Sequence, residues 1–246
     1  FFKNKNTKHI KLIHEIFKRY QLRNNFFDNL IILSLHELSI WKQYHNNVSY
    51  IPNFTPTITN KTPTLNQKII LSIGRITKED QKGFLRLVDI WEIVQKNQSF
   101  KEWKLHIVGD GALKEELFCK IKTKKLEHSI VLLPFNKNIE EEYLKASIYV
   151  MTSYFESFGM VLIESANYSI PSISFDVKTG PKEIIDNKRS GFLIEDGNLQ
   201  EFANKLQILM QDEDLRKKFG KNAKEKVRKE FSKEVIMKKW IKLINS

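Results

Sequence analysis

The feature that most constrains this 246-residue chain is a regular alternation of short apolar runs with longer amphipathic segments, beginning near residue 68. The runs have the length of strands and are continuously apolar, whereas the segments between them have helical spacing. Apolar strands separated by helices are typical of a parallel sheet that is covered on both faces. The pattern therefore predicts an α/β domain with a doubly wound parallel sheet. The predicted strands are KIILSIG (68–74), KLHIVG (104–109), SIVLLPF (129–135), IYVMTS (148–153), SISFD (172–176) and GFLIE (191–195).

A proline-rich stretch separates this pattern from a shorter unit before it. The segment PNFTPTITNKTPT (52–64) combines three prolines with Ser, Thr and Asn, which is typical of a linker. It predicts a domain boundary near residues 53–66. The preceding unit holds predicted strands at 30–35 and 48–52 around a helix at 37–44, and helices at 199–211, 213–230 and 232–244 end the chain.

The charge is strongly positive and uneven. The formal net charge is +12, and the stretch from Arg216 to Lys242 alone carries twelve Lys and Arg against three Glu. A second basic stretch, KHIKLIHEIFKRY (8–20), has apolar residues at helical spacing and is interpreted as an amphipathic helix. Basic amphipathic helices bind anionic lipid surfaces, so peripheral membrane contact is one prediction, and a solvated helix packed on its own domain is the other. Without zinc-finger spacing or an RNA-binding aromatic strand, no nucleic-acid partner is expected.

Other bulk features limit the class of protein. No run of about 18 apolar residues is present, so no membrane-spanning helix is predicted. The single cysteine, Cys119, excludes an internal disulfide, and its helical surroundings predict a place in the core. Lys outnumbers Arg 34 to 7 and Asn and Ile are abundant, which favours AT-rich codon usage and a bacterial source.

The loops that follow the predicted strands contain the unusual residues. Ligands of such sheets bind beyond the carboxyl ends of the strands. In the first loop, Gly74-Arg75 and Lys82-Gly83 place two cations there, which favours an anionic ligand, although surface charges beside a flexible loop are the alternative. The second loop, VGDGA, is not a dinucleotide fingerprint, because Lys114 stands where G-x-G-x-x-G needs glycine. No phosphate loop of the G-x-x-x-x-G-K-[ST] type occurs.

Two carboxylates flank a predicted helix start in YFESFGMVLIESA (154–166). Glu156 lies in the loop and Gly159 lets a ligand approach the backbone, where free helix amides favour phosphate or hydroxyl oxygens. Glu164 lies among apolar neighbours, so burial would require a hydrogen-bonding partner. A capping acid and an ordinary helix acid are the alternatives. Together with Arg75 and Lys82, the pattern favours a ligand that has both a diphosphate and many hydroxyls, as a nucleotide-sugar does.

Several motifs in the right order resemble a known family. ESFGMVLIE (156–164), the GR…KG loop (74–83), VGDG (108–111), and DVKTGPKEII with the later GFLI (176–194) are similar to the retaining glycosyltransferases of family 4. The resemblance covers about residues 48–244. Those enzymes have the GT-B fold of two facing Rossmann-like domains.

The resemblance implies a domain assignment. Residues 1–52 would be the end of the acceptor-binding N-terminal domain, 53–66 the linker, 67–231 the Rossmann-like nucleotide-sugar-binding domain, and 232–246 a helix returning to the N-terminal domain. The GR-to-KG loop is about two residues longer than usual in the family, and MTS replaces its Pro-Ser before the Glu156 loop.

The resemblance also implies residue roles. Arg75 and Lys82 would bind the donor diphosphate and stabilise the leaving group, and Glu156 would contact the transferred sugar. Glu164 would accept hydrogen bonds from the ribose. The remaining donor contacts would come from Gly74, Gly109, Leu133, Pro134, Phe158, Gly159 and Met160, with Leu133 and Pro134 next to the base.

The implied activity is transfer of a hexose or N-acetylhexosamine from a UDP-sugar to a glycan or glycolipid acceptor of the cell envelope, with retention and with neither cofactor nor metal. A sugar-nucleotide epimerase and a non-catalytic glycosyltransferase-like subunit are the alternatives. Asp212-Glu213-Asp214 imitates a D-x-D metal motif but is interpreted as a helix cap. The expected location is the cytoplasm or the inner face of a bacterial membrane.

Overall fold

Residues 6–246, which the computed structural model describes, form two parallel β-sheets. The smaller sheet contains β1 (Ile10–Ile13), β2 (Asn29–Ile32) and β3 (Val48–Tyr50), in that order. A short helix, α1 (Leu38–Lys42), connects β2 to β3. The first five residues of the predicted 1–52 unit lie outside the described residues.

The larger sheet has six strands, all parallel. They are β4 (Ile69–Ile73), β5 (Lys104–Val108), β6 (Ile130–Leu133), β7 (Ile148–Met151), β8 (Ser172–Phe175) and β9 (Gly191–Ile194). Their order is β6-β5-β4-β7-β8-β9. The chain therefore starts in the middle of the sheet, builds one side, crosses over and builds the other, which is the doubly wound arrangement predicted from the sequence.

Helices cover both faces of this sheet. They are α2 (Phe84–Gln95), α3 (Lys114–Thr123), α4 (Glu140–Lys145), α5 (Met160–Asn167), α6 (Pro181–Ile184), α7 (Leu199–Gln211) and α8 (Glu213–Glu230). The alternation of side chains along each strand gives two cores. Ile70 packs with Trp91 of α2 and Phe202 of α7 on one face, while its neighbour Leu71 packs with Leu162 of α5 on the other.

The last helix, α9 (Lys233–Ile244), packs against the smaller sheet. Its Ile236 and Leu243 form a buried cluster with Ile31 and Ile51. None of the helices in residues 6–246 is long and apolar enough to cross a membrane.

The segment from Thr55 to Leu65 runs antiparallel along α8. At one end the amide of Thr55 donates to the carbonyl of Phe231 at 2.9 Å. At the other, the buried guanidinium of Arg216 donates twice to the carbonyl of Leu65, at 2.9 and 2.8 Å. Between them the side chain of Asn167 bonds the backbone of residues 57 and 59. This segment is therefore attached to the large domain at both ends and near its middle.

The structure corrects two predictions. The amphipathic helix predicted over residues 8–20 is wrong: residues 10–13 form β1, which pairs in parallel with β2, and the following residues are irregular. Pairing with a strand that is distant in the chain overrides the local spacing, which β-branched Ile10 and Ile13 fit as well in a strand. Cys119 is exposed, because Leu117 and Ile121 face the core and the residue midway between them on the helix faces away.

Candidate donor-binding site

The candidate site lies at the carboxyl edge of the large sheet, where the strand order reverses between β4 and β7. Loops that leave the two strands diverge at this point and open a crevice, the usual ligand position in doubly wound sheets. Four loops meet there, at residues 74–83, 109–113, 152–159 and 176–180. The side chains of the first and third loops are in direct contact.

The loop after β4 is fixed by two residues at its end. The carboxylate of Asp80 caps α2, accepting from the amides of Phe84 at 2.8 Å and Leu85 at 3.1 Å. Burial raises the pKa of Asp80, and these amide bonds oppose the rise. Gly83 has φ of +66°, and a Cβ there would lie 1.9 Å from the carbonyl oxygen of Thr152. Only glycine lets this loop pass so close to the end of β7.

Lys82 and Glu156 form an ion pair across the crevice. The Nζ of Lys82 lies 2.6 Å from Oε1 of Glu156, with side chains 19% and 8% exposed. The same Oε1 accepts from the hydroxyl of Ser153 at 2.6 Å. No described residue donates to the other oxygen, Oε2. One carboxylate oxygen thus fixes the loop while the second is available to a ligand.

Arg86 of α2 holds the backbone from which the Glu156 loop starts. Its guanidinium donates to the carbonyls of Thr152 and Ser153, both at 2.6 Å, and to Asp196 at 2.7 Å. The ring of Tyr154 covers it at 3.9 Å. This buried cation fixes the end of β7, so the Glu156 loop begins from a rigid base.

The loop after β8 closes the other side of the Glu156 loop. The hydroxyl of Thr179 donates to the carbonyl of Glu156. Gly180, at φ +97°, passes so close to the carbonyl oxygen of Phe158 that a Cβ would lie 2.4 Å from it. Glu183 caps this turn through the amide of Gly180 at 2.8 Å, and its other oxygen accepts from Ser34, which follows β2. The smaller sheet therefore borders the same crevice.

The start of α5 presents free backbone amides at the crevice. Gly159 takes φ of +92° just before the first helical residue, Met160, and no side chain caps the helix. The first amides of a helix have no intrahelical acceptor and lie at the positive end of its dipole. Phe158 is buried and packs edge-on to Phe231 at 5.8 Å, which anchors the turn.

Glu164 has the partner that its position requires. The hydroxyl of Tyr143 donates to its Oε2 at 2.7 Å, and Tyr143 is itself stacked on Tyr168 at 5.1 Å. Burial and the Glu164 charge hold the pKa of Tyr143 well above its usual range, so the phenol remains a donor. Glu164 is half-buried, and no described residue donates to its Oε1.

The predicted glycines of the first two loops approach each other. A Cβ on Gly109 would lie 1.9 Å from the carbonyl oxygen of Gly74, and one on Gly74 would lie 2.8 Å from Cγ of Lys82. Close packing of these two loops therefore accounts for glycine at positions 74 and 109 without a ligand. The amide of Gly109 also donates to the carbonyl of Leu133 at 3.0 Å, beside exposed Pro134. Their contacts with a donor stay predictions.

Arg75 is an exposed cation in the loop after β4. Among residues 6–246 it has no hydrogen-bond or ion-pair partner. The pairing of Lys82 with Glu156 and the isolation of Arg75 differ from the sequence interpretation, which treated the two cations alike.

The structure also bears on metal binding. Within residues 6–246 no group of three His, Cys, Asp or Glu side chains could hold a metal ion. Asp212 accepts from the amide of Leu215 at 2.8 Å and caps α8, which confirms the helix-cap interpretation of the Asp-Glu-Asp run.

Sequence reasoning missed four residues that build the site: Ser153, Tyr143, Arg86 and Thr179. Each acts on a residue distant in the chain or across a turn. Ser153 and Thr179 lie within MTS (151–153) and DVKTGPKEII (176–185), stretches that the sequence singles out without indicating a role for either residue. Ser153 gave the only usable signal, since it is the polar residue that ends an apolar strand three positions before Glu156.

Much of the chain matches a known family model. Residues 53–226 match the model described as "Glycosyl transferases group 1". This range includes the whole crevice of the large sheet and stops within α8.

Two curated relatives are named as sugar transferases. An amylovoran biosynthesis glycosyltransferase of Erwinia amylovora is 42% identical over 179 residues, which is 73% of this chain and 48% of that protein. A poly(ribitol-phosphate) alpha-N-acetylglucosaminyltransferase of Staphylococcus aureus is 29% identical over 232 residues, or 93% of this chain and 46% of that protein. The chain spans about half the length of these relatives.

Solved structures agree in fold. A point mutant of S. aureus TarM, in complex with Fondaparinux, alpha-GlcNAc-glycerol and UDP, has a TM-score of 0.87 and 28% identity, and the match covers 98% of this chain and 52% of that one. Anabaena Alr3699/HepE in complex with UDP has a TM-score of 0.85 at 19% identity, covering 98% of this chain and 72% of that one.

Proposed function

Because this chain belongs to the group 1 glycosyl transferases, we propose that it is the donor-binding part of a retaining, family 4 enzyme that transfers a hexose or N-acetylhexosamine from a UDP-sugar. The observation that carries the proposal is the Lys82–Glu156 pair, 2.6 Å long, beside the uncapped start of α5 at the switch point of the sheet. It combines positive charge, free amides and a carboxylate within one crevice. A sugar diphosphate requires all three.

The diphosphate is bound by the two cations and the helix start. Arg75 has no partner among residues 6–246, so its charge is available to a phosphate at little cost. Lys82 must first weaken its bond to Glu156. The amides of Gly159 and Met160 add uncharged donors at the positive end of the α5 dipole. As the glycosidic bond breaks, these preorganised charges stabilise the leaving diphosphate without requiring a metal.

Glu156 orients the sugar. Its Oε1 is occupied by Lys82 and Ser153, whereas Oε2 is free to accept from a sugar hydroxyl. Its negative charge also stabilises positive charge that develops on the sugar ring during transfer. When a phosphate draws Lys82 away, the carboxylate becomes more available to the sugar, so the two binding events favour each other.

Glu164 and Tyr143 hold the ribose. The phenol fixes one carboxylate oxygen at 2.7 Å, and the free oxygen faces the two vicinal hydroxyls of the ribose. The backbone near Leu133 and Pro134, at the end of β6, then contacts the base. Because Gly74 and Gly109 have no side chains, the nucleotide can lie close to the backbone at these positions.

The proposed retention follows from attack on the same face as the departing diphosphate, which helps to deprotonate the acceptor hydroxyl. No side chain acts as a covalent nucleophile. The proposed acceptor is a cell-envelope glycan or glycolipid, supported by relatives named for amylovoran and poly(ribitol-phosphate). A cytoplasmic enzyme that works at the inner face of the membrane fits such an acceptor, and contact with anionic lipid remains part of the proposal.

The domain assignment is also proposed. Residues 1–52 would be the end of the acceptor domain and 232–246 the helix returning to it, supported by the packing of α9 on the smaller sheet. Residues 67–231 would bind the donor and 53–66 would link the two.

Thermal melting with nucleotides tests the proposal. We expect UDP to raise the melting temperature of the chain, and Glu164→Ala to remove most of that rise, since a hydrogen bond to a charged group contributes about 1.5–3 kcal/mol. Arg75→Ala should weaken UDP binding about tenfold for the same reason. Lys78→Ala is the matched control, because Lys78 is an exposed cation in the same loop. An unchanged melting temperature with UDP, GDP and ADP would contradict the donor-site proposal.

A further inference from the structure

A second basic site lies away from the donor crevice, between α8 and the segment from residue 58 to 65. The cavity there has a volume of about 860 Å³. It is lined by Ile58, Asn60, Thr62, Pro63, Leu65, Ser169, Lys217, Lys221, Lys224, Glu225 and Arg228. The groove, as we call this set of residues, contains four cations and one carboxylate.

The cations form a row along α8. Lys217, Lys221, Lys224 and Arg228 follow one another at spacings of four, three and four residues, which places them within a narrow stripe of one helix face. At 1.5 Å per residue the row is about 16 Å long. It is therefore extended along the helix, unlike a cluster built around a single small anion.

Most of this charge is not neutralised by the protein. Lys221, Lys224 and Arg228 have no ion pair within the described part of the chain, whereas Lys217 pairs with Glu213 at 2.7 Å. Glu225 is the only carboxylate among the lining residues, and its Oε1 is held by Lys229 at 2.6 Å. Lys224 is half-buried, and desolvation lowers its pKa. A recessed, unpaired ammonium favours a bound anion.

The opposite wall has no charged lining residue and combines apolar side chains (Ile58, Pro63 and Leu65) with polar ones. Asn60 and Thr62 supply an amide and a hydroxyl, and no acidic side chain occurs between residues 58 and 65. Such groups suit sugar or polyol hydroxyls. The wall keeps its place because Asn167 and Arg216 bind the backbone of the segment. The groove is therefore built before any ligand arrives.

We propose that this groove binds an extended glycan or polyol chain that carries repeated phosphate groups. The row of cations matches repeated charges, and Arg228 can grip a phosphate with two parallel hydrogen bonds. A lipid surface fits less well, since the large exposed apolar side chains that could enter a membrane lie elsewhere. Nucleic acid fits less well because no aromatic residue lines the groove for base stacking.

The site is distinct from the proposed donor crevice. The groove uses the face of α8 towards residues 58–65, whereas the crevice uses the loops after β4, β7 and β8. Binding in the groove does not require transfer. The proposal thus goes beyond the donor-site function, although the two fit together if the bound polymer is also the acceptor.

The test compares two triple variants with equal loss of charge. The groove variant carries K221Q, K224Q and R228Q, and the control carries K218Q, K233Q and K238Q, which are exposed cations outside the groove. The probe is a synthetic glycerol-phosphate hexamer, followed by fluorescence anisotropy. We expect the groove variant to bind at least tenfold more weakly and the control less than threefold. The plot of log affinity against log salt concentration should have a shallower slope in the groove variant, by roughly two to three units, because fewer counterions are released on binding.

Parallel arms identify the ligand class. Phosphatidylglycerol vesicles, a thymidylate hexamer and inorganic phosphate at equal phosphate concentration should each bind without dependence on the groove. Three results would overturn the proposal. They are equal losses of hexamer affinity in both variants, no binding of the hexamer, and groove-dependent binding of any of the three alternative probes. The UDP-induced rise in melting temperature should persist in the groove variant, which shows an intact fold. If the hexamer binds while UDP has no effect, only the donor-site function fails.

Discussion

The Lys82–Glu156 pair gives the sharpest prediction, because removing its two ends should have opposite effects on nucleotide binding. Lys82→Met keeps the aliphatic stem that packs over Gly74, and Glu156→Gln keeps the shape of the carboxylate. Each variant therefore removes one charge with little change in volume. Their combination completes a double-mutant cycle.

The burial of the ion pair determines the expected size of its effect on stability. The pair is largely removed from water, with side chains 19% and 8% exposed, so a charge-assisted bond is expected to contribute about 1.5–3 kcal/mol. Lys82→Met leaves the Glu156 carboxylate with Ser153 as its remaining side-chain donor, and we expect a loss of about 2–3 kcal/mol of unfolding free energy. The double variant should lose less than the sum of the single variants, by about 1–2 kcal/mol.

Nucleotide binding should separate the two variants. Lys82→Met removes a phosphate ligand, and UDP should bind at least tenfold more weakly. Glu156→Gln frees Lys82 from its partner, so UDP should bind as tightly as to the wild type or more tightly, while transfer by the complete enzyme is lost. Urea unfolding and calorimetric titration with UDP measure both effects. Lys78→Met is the control and should change stability by less than about 0.5 kcal/mol.

Two results would refute the reasoning. A coupling energy near zero would mean that the ion pair does not contribute to stability. An equal loss of UDP affinity in Glu156→Gln and Lys82→Met would mean that Glu156 does not compete with the phosphate for Lys82.

Two further predictions concern the walls of the site. Gly180→Ala should lower the unfolding free energy by about 1–3 kcal/mol and weaken UDP binding, because φ of +97° is strained for alanine and its Cβ would lie 2.4 Å from the carbonyl oxygen of Phe158. Thermal melting with and without UDP measures both effects. An unchanged UDP response would show that this turn does not support the site. Burial, followed by the hydrogen bond and charge of Glu140, raises the pKa of Tyr168 to about 12. Its contribution to stability should be complete below the ordinary tyrosine pKa, near 10, and should be lost as the pH rises to 12. Tyr168→Phe should flatten that part of the pH–stability curve in urea unfolding, and an identical slope would contradict the assignment.

The large sheet was predictable because its strands are buried on both faces and read as apolar runs. The bounds predicted for α7 and α8 are confirmed, since acidic or polar caps mark both starts: Asn198 for α7 and Asp212 for α8. The 8–20 segment failed because its pattern fits both a helix and a strand, and the pairing partner that decides between them lies in β2. Local periodicity carries no information about which distant strand a segment pairs with.

The candidate site likewise has features that the sequence predicts and features that it does not. The positions of Lys82, Glu156 and Glu164 followed from glycines and strand ends, which are local signals. Their partners did not, because which atoms meet depends on side-chain direction across separate loops. The sequence indicated that Glu164 needed a donor, and only the fold identified Tyr143 as that donor.

The attachment of residues 55–65 to α8 also determines where the molecule can bend. A stretch that is tied at both ends and in the middle cannot serve as a flexible tether, despite its prolines. Any rotation of the small sheet against the large one must be concentrated in two short crossings, at residues 51–54 and 231–232. These crossings are joined by the bridge between Thr55 and Ser232, so they would turn together as a single pivot with one axis.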